Sequence, residues 1–108
     1  MKDFLGLHKN KKIAVWGAGG KGIAFLSLCG IKEINNILFV IDSDANKWDK
    51  YTPGSGLLVM PPKKVDFKKI DLILISAVMY QKEIIKNIRI KYKYKNKIGI
   101  IMPRPHII

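Results

Sequence analysis

The sequence IAVWGAGGKG occupies residues 13–22 and joins an apolar run to a glycine-rich turn of the form G-x-G-x-x-G. A continuously apolar run indicates a strand that is buried on both faces of a parallel sheet. Glycines permit a sharp turn and let a ligand approach the backbone closely. Residues 23–29 predict a helix that stops at Gly30. The stretch therefore predicts a strand, a turn and a helix N-terminus, where free N–H groups attract an anion.

Further apolar runs alternate with helical patterns along the chain. We expect strands at residues 12–16, 37–41, 57–60, 72–76 and 97–102, and helices at residues 20–29, 62–67 and 80–90. Apolar strands that alternate with helices imply a parallel sheet covered on both faces. Right-handed crossovers and an early phosphate loop favour the strand order 3-2-1-4-5. The predicted fold is a single α/β, Rossmann-like domain over residues 1–108, with three layers and five parallel strands.

Length and composition limit the class of protein. A chain of 108 residues allows one domain with one modest core. No apolar run reaches the ~20 residues needed to cross a membrane. The first residues carry no apolar signal segment, so we expect a cytoplasmic protein without a membrane partner. The single cysteine, Cys29, has no intrachain disulfide partner, and we expect it to be a small buried apolar residue.

The net charge of +12 is weak evidence for a nucleic-acid partner. Lys supplies 18 of the 20 basic residues, whereas proteins that bind bases and phosphates in a defined geometry favour Arg. The densest basic stretch, residues 86–97, interleaves Tyr92 and Tyr94 with basic side chains. One interpretation is a basic, aromatic strip for an acidic partner. The interpretation that we favour is the solvated end of a helix and its loop.

Candidate ligand residues collect where the predicted strands end. Asp42 follows the second strand, 20 residues beyond Gly22, where a dinucleotide fold places the acid that binds a ribose hydroxyl. The alternative is an aspartate that starts the turn at residues 43–45. Lys21 opposes the dipole of the first helix, which an anionic ligand would offset, although a lysine-rich composition explains it equally well. The predicted ligand site comprises Gly17, Gly19, Gly20, Lys21, Gly22, Asp42 and Tyr80.

Aromatic and histidine residues give no catalytic set. Trp16 belongs either to the floor of the cleft or to the core, and we favour the core. Trp48 and Tyr51, in the polar loop after the second strand, either stack on a base or sugar or pack the loop onto the sheet. His8 and His106 lie near opposite termini without metal-ligand spacing. We therefore expect no catalytic residue and no metal site in this chain.

The motifs together form a family resemblance that covers nearly the whole chain. They are IAVWGAGGKG at residues 13–22, VIDSD at 40–44, KYTPGSGL at 50–57, DLILI at 71–75, Tyr80, and PRP at 103–105. In this combination they resemble the C-terminal domain of S-adenosylmethionine-dependent sugar C-methyltransferases. The chain departs from that family at Met79, where the family usually has a polar residue before the tyrosine.

The resemblance implies a binding role. In that family a zinc-binding region and a methyltransferase domain precede this domain, and the whole protein methylates a carbon of a nucleotide-linked keto-sugar. The implied ligand is the nucleoside diphosphate of a nucleotide-sugar. S-adenosylmethionine would bind a missing domain, because this chain has no second glycine motif. A methyltransferase domain or subunit is thus the implied partner, and we expect the chain to be inactive alone.

Three alternatives stay open at this point. The glycine loop and Asp42 also suit an NAD(P)-binding regulatory domain. The basic stretch at residues 86–97 suits an adaptor for nucleic acid or another acidic partner. An apolar edge at the fifth strand suits a homo-oligomerisation module with a vestigial cleft. The sequence is compatible with a fragment, a split subunit or a stand-alone protein.

Overall fold

The computed structural model describes residues 10–19, 24, 37–54, 56–77, 79–101 and 106–108. Its strands are β1 (Ile13–Trp16), β2 (Ile37–Ile41), β3 (Val59–Met60), β4 (Leu72–Ile75), β5 (Lys97–Ile100) and β6 (His106–Ile107). They form one sheet in the order β3-β2-β1-β4-β5-β6. The first five strands are parallel to their neighbours. The predicted α/β class and the order 3-2-1-4-5 are confirmed.

The sheet has one strand more than the sequence predicted. β6 runs antiparallel to β5, with Ile107 opposite Gly99 and His106 opposite Ile100. A strand of two residues has no periodicity that a sequence pattern can show, and the prolines before it indicated an end to the sheet. β6 pairs with the outer edge of β5. This edge is therefore occupied, whereas one alternative from the sequence had it pairing with a second chain.

The central strands are apolar at successive positions because both of their faces are covered. Every residue of β1 and β4 is buried. One face of the sheet carries Ile13, Val15, Val40, Leu72 and Leu74. The other face carries Ala14, Trp16, Ile41, Ile73, Ile75 and Ile98. Alternation of side chains along each strand accounts for this division.

Short helical elements connect the strands. The helix predicted at residues 80–90 is confirmed as α1 (Gln81–Lys86), which continues as a π-helical turn at Asn87–Lys91. Instead of the single helix predicted at residues 62–67, two 3-10 turns form at Pro62–Lys64 and Phe67–Lys69. A third 3-10 turn spans Ala45–Lys47.

Some boundaries and one predicted helix need separate mention. β3 begins at Val59, two residues later than predicted, because Leu58 forms an antiparallel bridge with Tyr51 instead. The predicted first helix, including Cys29, lies outside the described residues. Within the part of the chain that the structure describes, no helix has the length and apolar character to cross a membrane.

Candidate functional site

The carboxyl ends of β1, β2 and β4 lie level with one another. The Gly17 N–H donates to the Ile41 carbonyl at 2.8 Å, and the Ser76 N–H donates to the Trp16 carbonyl at 3.0 Å. The residues that follow these strands therefore meet at one edge of the sheet, which we call the carboxyl edge. In open parallel sheets this edge is where ligands bind.

Asp42 fixes the glycine loop to the end of β2. Its Oδ2 accepts the N–H of Ala18 at 2.7 Å, and its Oδ1 accepts the N–H of Asp44 at 2.8 Å. Its carbonyl accepts the indole N–H of Trp48 at 2.6 Å. The second bond is the turn-initiating interaction that we weighed for Asp42 in the sequence. Through the first bond, the half-buried carboxylate of Asp42 already accepts the Ala18 N–H of the glycine loop.

Ser76 connects the end of β4 to the same loop. Its hydroxyl donates to the Gly17 carbonyl at 2.6 Å, and the Trp16 carbonyl lies 3.1 Å from the same oxygen. Gly17 has φ +113°, and a Cβ at this position would lie 2.8 Å from the Ser76 Oγ. Glycine is therefore required at residue 17 for both conformation and space. The sequence analysis gave Ser76 no role in the site; the available signal was a polar residue directly after the apolar run LILI.

The predicted site residues are only partly brought together. Gly17 and Asp42 meet through the loop, and Gly19 follows Ala18 with no described atom within 4 Å of the position of its Cβ. Tyr80 follows the end of β4, is 68% exposed, and has φ 62°, a left-handed conformation that is unusual for a tyrosine. The other three predicted residues, Gly20, Lys21 and Gly22, lie outside the described residues.

The tryptophans of the site have structural roles. Trp16 is 4% exposed, and its ring lies 5.7 Å from that of Tyr92, so it belongs to the core. Trp48 packs on the opposite core cluster and donates to Asp42, which holds the polar loop against the sheet. Tyr51 is 69% exposed beside β3. The packing interpretation therefore holds for both tryptophans.

The carboxyl edge offers a carboxylate, a hydroxyl and backbone groups, and all of them form hydrogen bonds. Among the described residues, no group of three His, Cys, Asp or Glu is placed to hold a metal ion.

The basic stretch at residues 86–97 does not form one uniform exposed strip. The Arg89 guanidinium donates to the carbonyls of Tyr94 and Asn96 at 3.1 and 2.5 Å. Tyr94 is 3% exposed and donates its hydroxyl proton to the Lys97 carbonyl at 3.0 Å. Burial raises the pKa of Tyr94 well above its ordinary value, although the charge of Arg89 acts in the opposite direction. Arg89 and Tyr94 thus stabilise the loop that leads into β5.

Comparison with known families identifies the class of protein. The family model of the C-methyltransferase C-terminal domain matches residues 6–105. The chain belongs to this family of C-terminal domains, which confirms the resemblance that its sequence motifs indicated.

Two particular relatives place the chain more closely. The C-methyltransferase NovU of Streptomyces niveus is 31% identical over 98 residues, which are 91% of this chain but 23% of NovU. The chain therefore spans about a quarter of the length of this relative. The crystal structure of UDP-D-quinovosamine 4-dehydrogenase from Vibrio fischeri superposes with a TM-score of 0.62. It is 25% identical, and the match covers 87% of this chain and 79% of that one.

Proposed function

We propose that this chain is the nucleotide-sugar-binding domain of a sugar C-methyltransferase system and does not catalyse methyl transfer alone. The observation that carries the proposal is the pairing of its two relatives. One is a C-methyltransferase, and the other acts on a sugar joined to a nucleoside diphosphate, as its name states. A sugar nucleotide is the ligand class that suits both relatives.

The carboxyl edge offers suitable groups for such a ligand. Gly19 has no described atom near its Cβ position, so a pyrophosphate or sugar can approach the backbone there. Asp42 accepts one N–H on each carboxylate oxygen, and a carboxylate has about four acceptor positions. The remaining acceptor positions of Asp42 are those that hydroxyl groups of the ribose or the sugar would use. The exposed ring of Tyr80 offers a surface for a base or a sugar ring.

The proposal assigns different roles to this chain and to the methyltransferase domain. This chain binds and orients the nucleotide-sugar, and a methyltransferase domain or subunit outside it supplies S-adenosylmethionine and the base for methyl transfer. That domain is the proposed partner, and it would meet the chain across the carboxyl edge. The chain's own residues form hydrogen bonds to the substrate and exclude water from it. Both effects favour one orientation of the bound substrate.

A ligand panel tests the proposal on the 108-residue chain. We expect dTDP, UDP, GDP or CDP to raise the melting temperature and to give a calorimetric signal, because a ligand that binds the folded state stabilises it. NAD and S-adenosylmethionine should give none. A signal with NAD alone would instead favour a dinucleotide-binding domain, and a signal with no nucleotide would contradict the proposed ligand.

A matched pair of variants locates the ligand. Gly19→Leu should still fold, because a Cβ at residue 19 meets no described atom within 4 Å, and should lose nucleotide binding through steric exclusion. Ile90→Leu, at an exposed position of the π-helical turn, should retain binding. Unchanged nucleotide affinity in Gly19→Leu would show that the glycine loop is not the binding site.

A further inference from the structure

A cavity of about 590 Å³ lies at the amino ends of β4 and β5. It is lined by residues 66–68, 70 and 92–96, which lead directly into these two strands. It therefore lies at the opposite end of the sheet from the carboxyl edge. Its volume falls within the range of roughly 300–1,000 Å³ that is typical of small-molecule sites.

Three rings form one side of this cavity, which we call the aromatic wall: Phe67, Tyr92 and Tyr94. The rings of Phe67 and Tyr92 stack with centroids 5.3 Å apart and planes 24° apart. Tyr94 lies 6.2 Å from Phe67 and is buried, whereas Phe67 and Tyr92 are half-buried. Trp16 stacks on Phe67 with centroids 6.4 Å apart, and the Lys91 Nζ lies 5.4 Å from the centroid of the Tyr92 ring, so packing fixes the wall on these faces. The ring surface that the half-buried Phe67 and Tyr92 present to the cavity remains for a flat ligand.

Three exposed lysines surround the wall, which we call the rim lysines: Lys68, Lys93 and Lys95. Asp66 is the one carboxylate among the lining residues, and its Oδ1 accepts the N–H of Lys68 at 3.2 Å. Three positive charges against one negative charge leave a net charge of about +2. A phosphate monoester carries about −1.5 to −2 at neutral pH and matches this charge.

Lys93, one of the rim lysines, has an unfavourable backbone conformation. Its φ of 56° is left-handed, which glycine or asparagine adopts more easily than lysine. Arg89 holds the turn at Lys93 in place, because its guanidinium donates to the carbonyls of Tyr94 and Asn96, which follow Lys93 in the loop. Strained residues that the surrounding structure fixes in place are concentrated at ligand sites.

We propose that this cavity binds a small aromatic phosphate ester, with its ring against the aromatic wall and its phosphate among the rim lysines. Lysine suits a phosphate as a compact point charge. The lining residues come from two short loops around a cavity. A nucleic-acid strand would need a long groove that follows its backbone, so the geometry favours a small molecule. This site is independent of the nucleotide-sugar site proposed at the carboxyl edge.

Titration of the isotope-labelled chain with phenyl phosphate tests this proposal by amide NMR. We expect saturable shifts at residues 66–70 and 92–96, and weaker affinity at higher salt. Benzyl alcohol, which keeps the ring, and inorganic phosphate, which keeps the charge, should each bind several-fold more weakly. Benzoate should bind with intermediate affinity because it carries a single charge.

Two double variants separate the rim lysines from general charge. Lys93→Gly with Lys95→Gln should raise the Kd for phenyl phosphate roughly three- to tenfold, the effect of two exposed charge contacts. Lys82→Gln with Lys86→Gln removes the same charge from α1, away from the cavity, and should leave the Kd within about twofold. Lys93→Gly alone should also raise the melting temperature, because glycine relieves the left-handed strain.

Four results would overturn the proposal. They are shifts confined to the carboxyl edge, equal affinity for phenyl phosphate and benzyl alcohol, equal weakening in the two double variants, and tighter binding of oligothymidylate at residues 66–70 and 92–96. The first result would contradict the cavity proposal and leave the nucleotide-sugar proposal intact. Chemical-shift changes at the cavity, without any nucleotide binding at the carboxyl edge, would support the cavity proposal and contradict the nucleotide-sugar proposal.

Discussion

The two ends of the parallel sheet use their polar groups in different ways. At the carboxyl edge, Asp42 and Ser76 are both hydrogen-bonded to the glycine loop, Asp42 through the Ala18 N–H at 2.7 Å and Ser76 through the Gly17 carbonyl at 2.6 Å. At the amino end, the rim lysines stand around the aromatic wall and a cavity of about 590 Å³. One end is tightly hydrogen-bonded, and the other combines fixed rings with exposed charge.

The difference separates what a motif requires from what a ligand requires. The glycine motif is needed at Gly17 for the turn itself, since Ser76 occupies the space that a side chain would need. It would be needed there whether or not a phosphate binds. The amino end carries no motif, because a cavity depends on which loops meet and not on residue spacing along the chain. Variants at the carboxyl edge therefore test hydrogen bonding and backbone conformation, whereas variants at the amino end test ring packing and exposed charge.

The largest expected effect is at the carboxyl edge. Gly17→Ala should lower the free energy of unfolding by about 2–4 kcal/mol, from its positive φ and from the contact with the Ser76 Oγ at 2.8 Å. Urea denaturation measures the change. Gly19→Ala is the matched control and should change it by less than about 0.5 kcal/mol, because no described atom lies near its Cβ.

A double variant resolves the two contributions. In Gly17→Ala with Ser76→Ala, the hydroxyl is absent and the next atom, the Ala77 N, lies 3.4 Å from the new Cβ. The double variant should therefore be less destabilised than the sum of the single variants by about 1 kcal/mol. Strict additivity would mean that backbone strain alone accounts for the need for glycine.

The second prediction compares an aspartate from each end. Asp42→Ala should cost about 1–3 kcal/mol, since the half-buried N–H of Ala18 and the N–H of Asp44 both lose their acceptor. Asp66→Ala loses one bond of 3.2 Å to an exposed N–H and should cost about 0.5 kcal/mol. Thermal unfolding measures both variants. Equal costs would show that the bond from Asp42 to the glycine loop contributes little to stability.

The sequence predicted the sheet well because its signals are local. The runs IAVW and LILI are apolar at successive positions because both faces of these strands are covered. The run ILFVI has the same pattern, although Leu38 in it is exposed. The order of the strands then followed from the rules for right-handed crossovers. β6 was missed because a two-residue strand is defined by its partner β5 and not by its own pattern.

The sites were harder to predict because their contacts join distant parts of the chain. The bond between Ala18 and Asp42 spans 24 residues, and that between Ser76 and Gly17 spans 59. The spacing of Asp42 indicated its place but not which N–H groups it would accept. The basic stretch was interpreted as the solvated end of a helix and its loop, and the structure agrees for its five lysines, which are all exposed. The sequence did not indicate that Arg89 would bond to the loop carbonyls or that Tyr94 would be buried.

The third prediction concerns the amino end and depends on pH. Tyr94→Phe removes the hydroxyl that donates to the Lys97 carbonyl at 3.0 Å and should cost about 1 kcal/mol at pH 8. Burial raises the pKa of Tyr94 above its ordinary value, so the folded state keeps this proton at a pH where the unfolded state releases it. Unfolding then releases a proton, and the stability of the native chain falls as the pH rises above about 10.

The variant lacks this titrating group, so its disadvantage relative to the native chain should shrink steadily from pH 9 to pH 11. Urea unfolding at each pH measures the difference. Tyr51→Phe, at a ring that is 69% exposed, is the matched control for loss of a tyrosine hydroxyl. A Tyr94→Phe difference that stays constant over this range would mean that the hydroxyl is not buried with its proton. The aromatic wall would then be looser than the ring packing indicates.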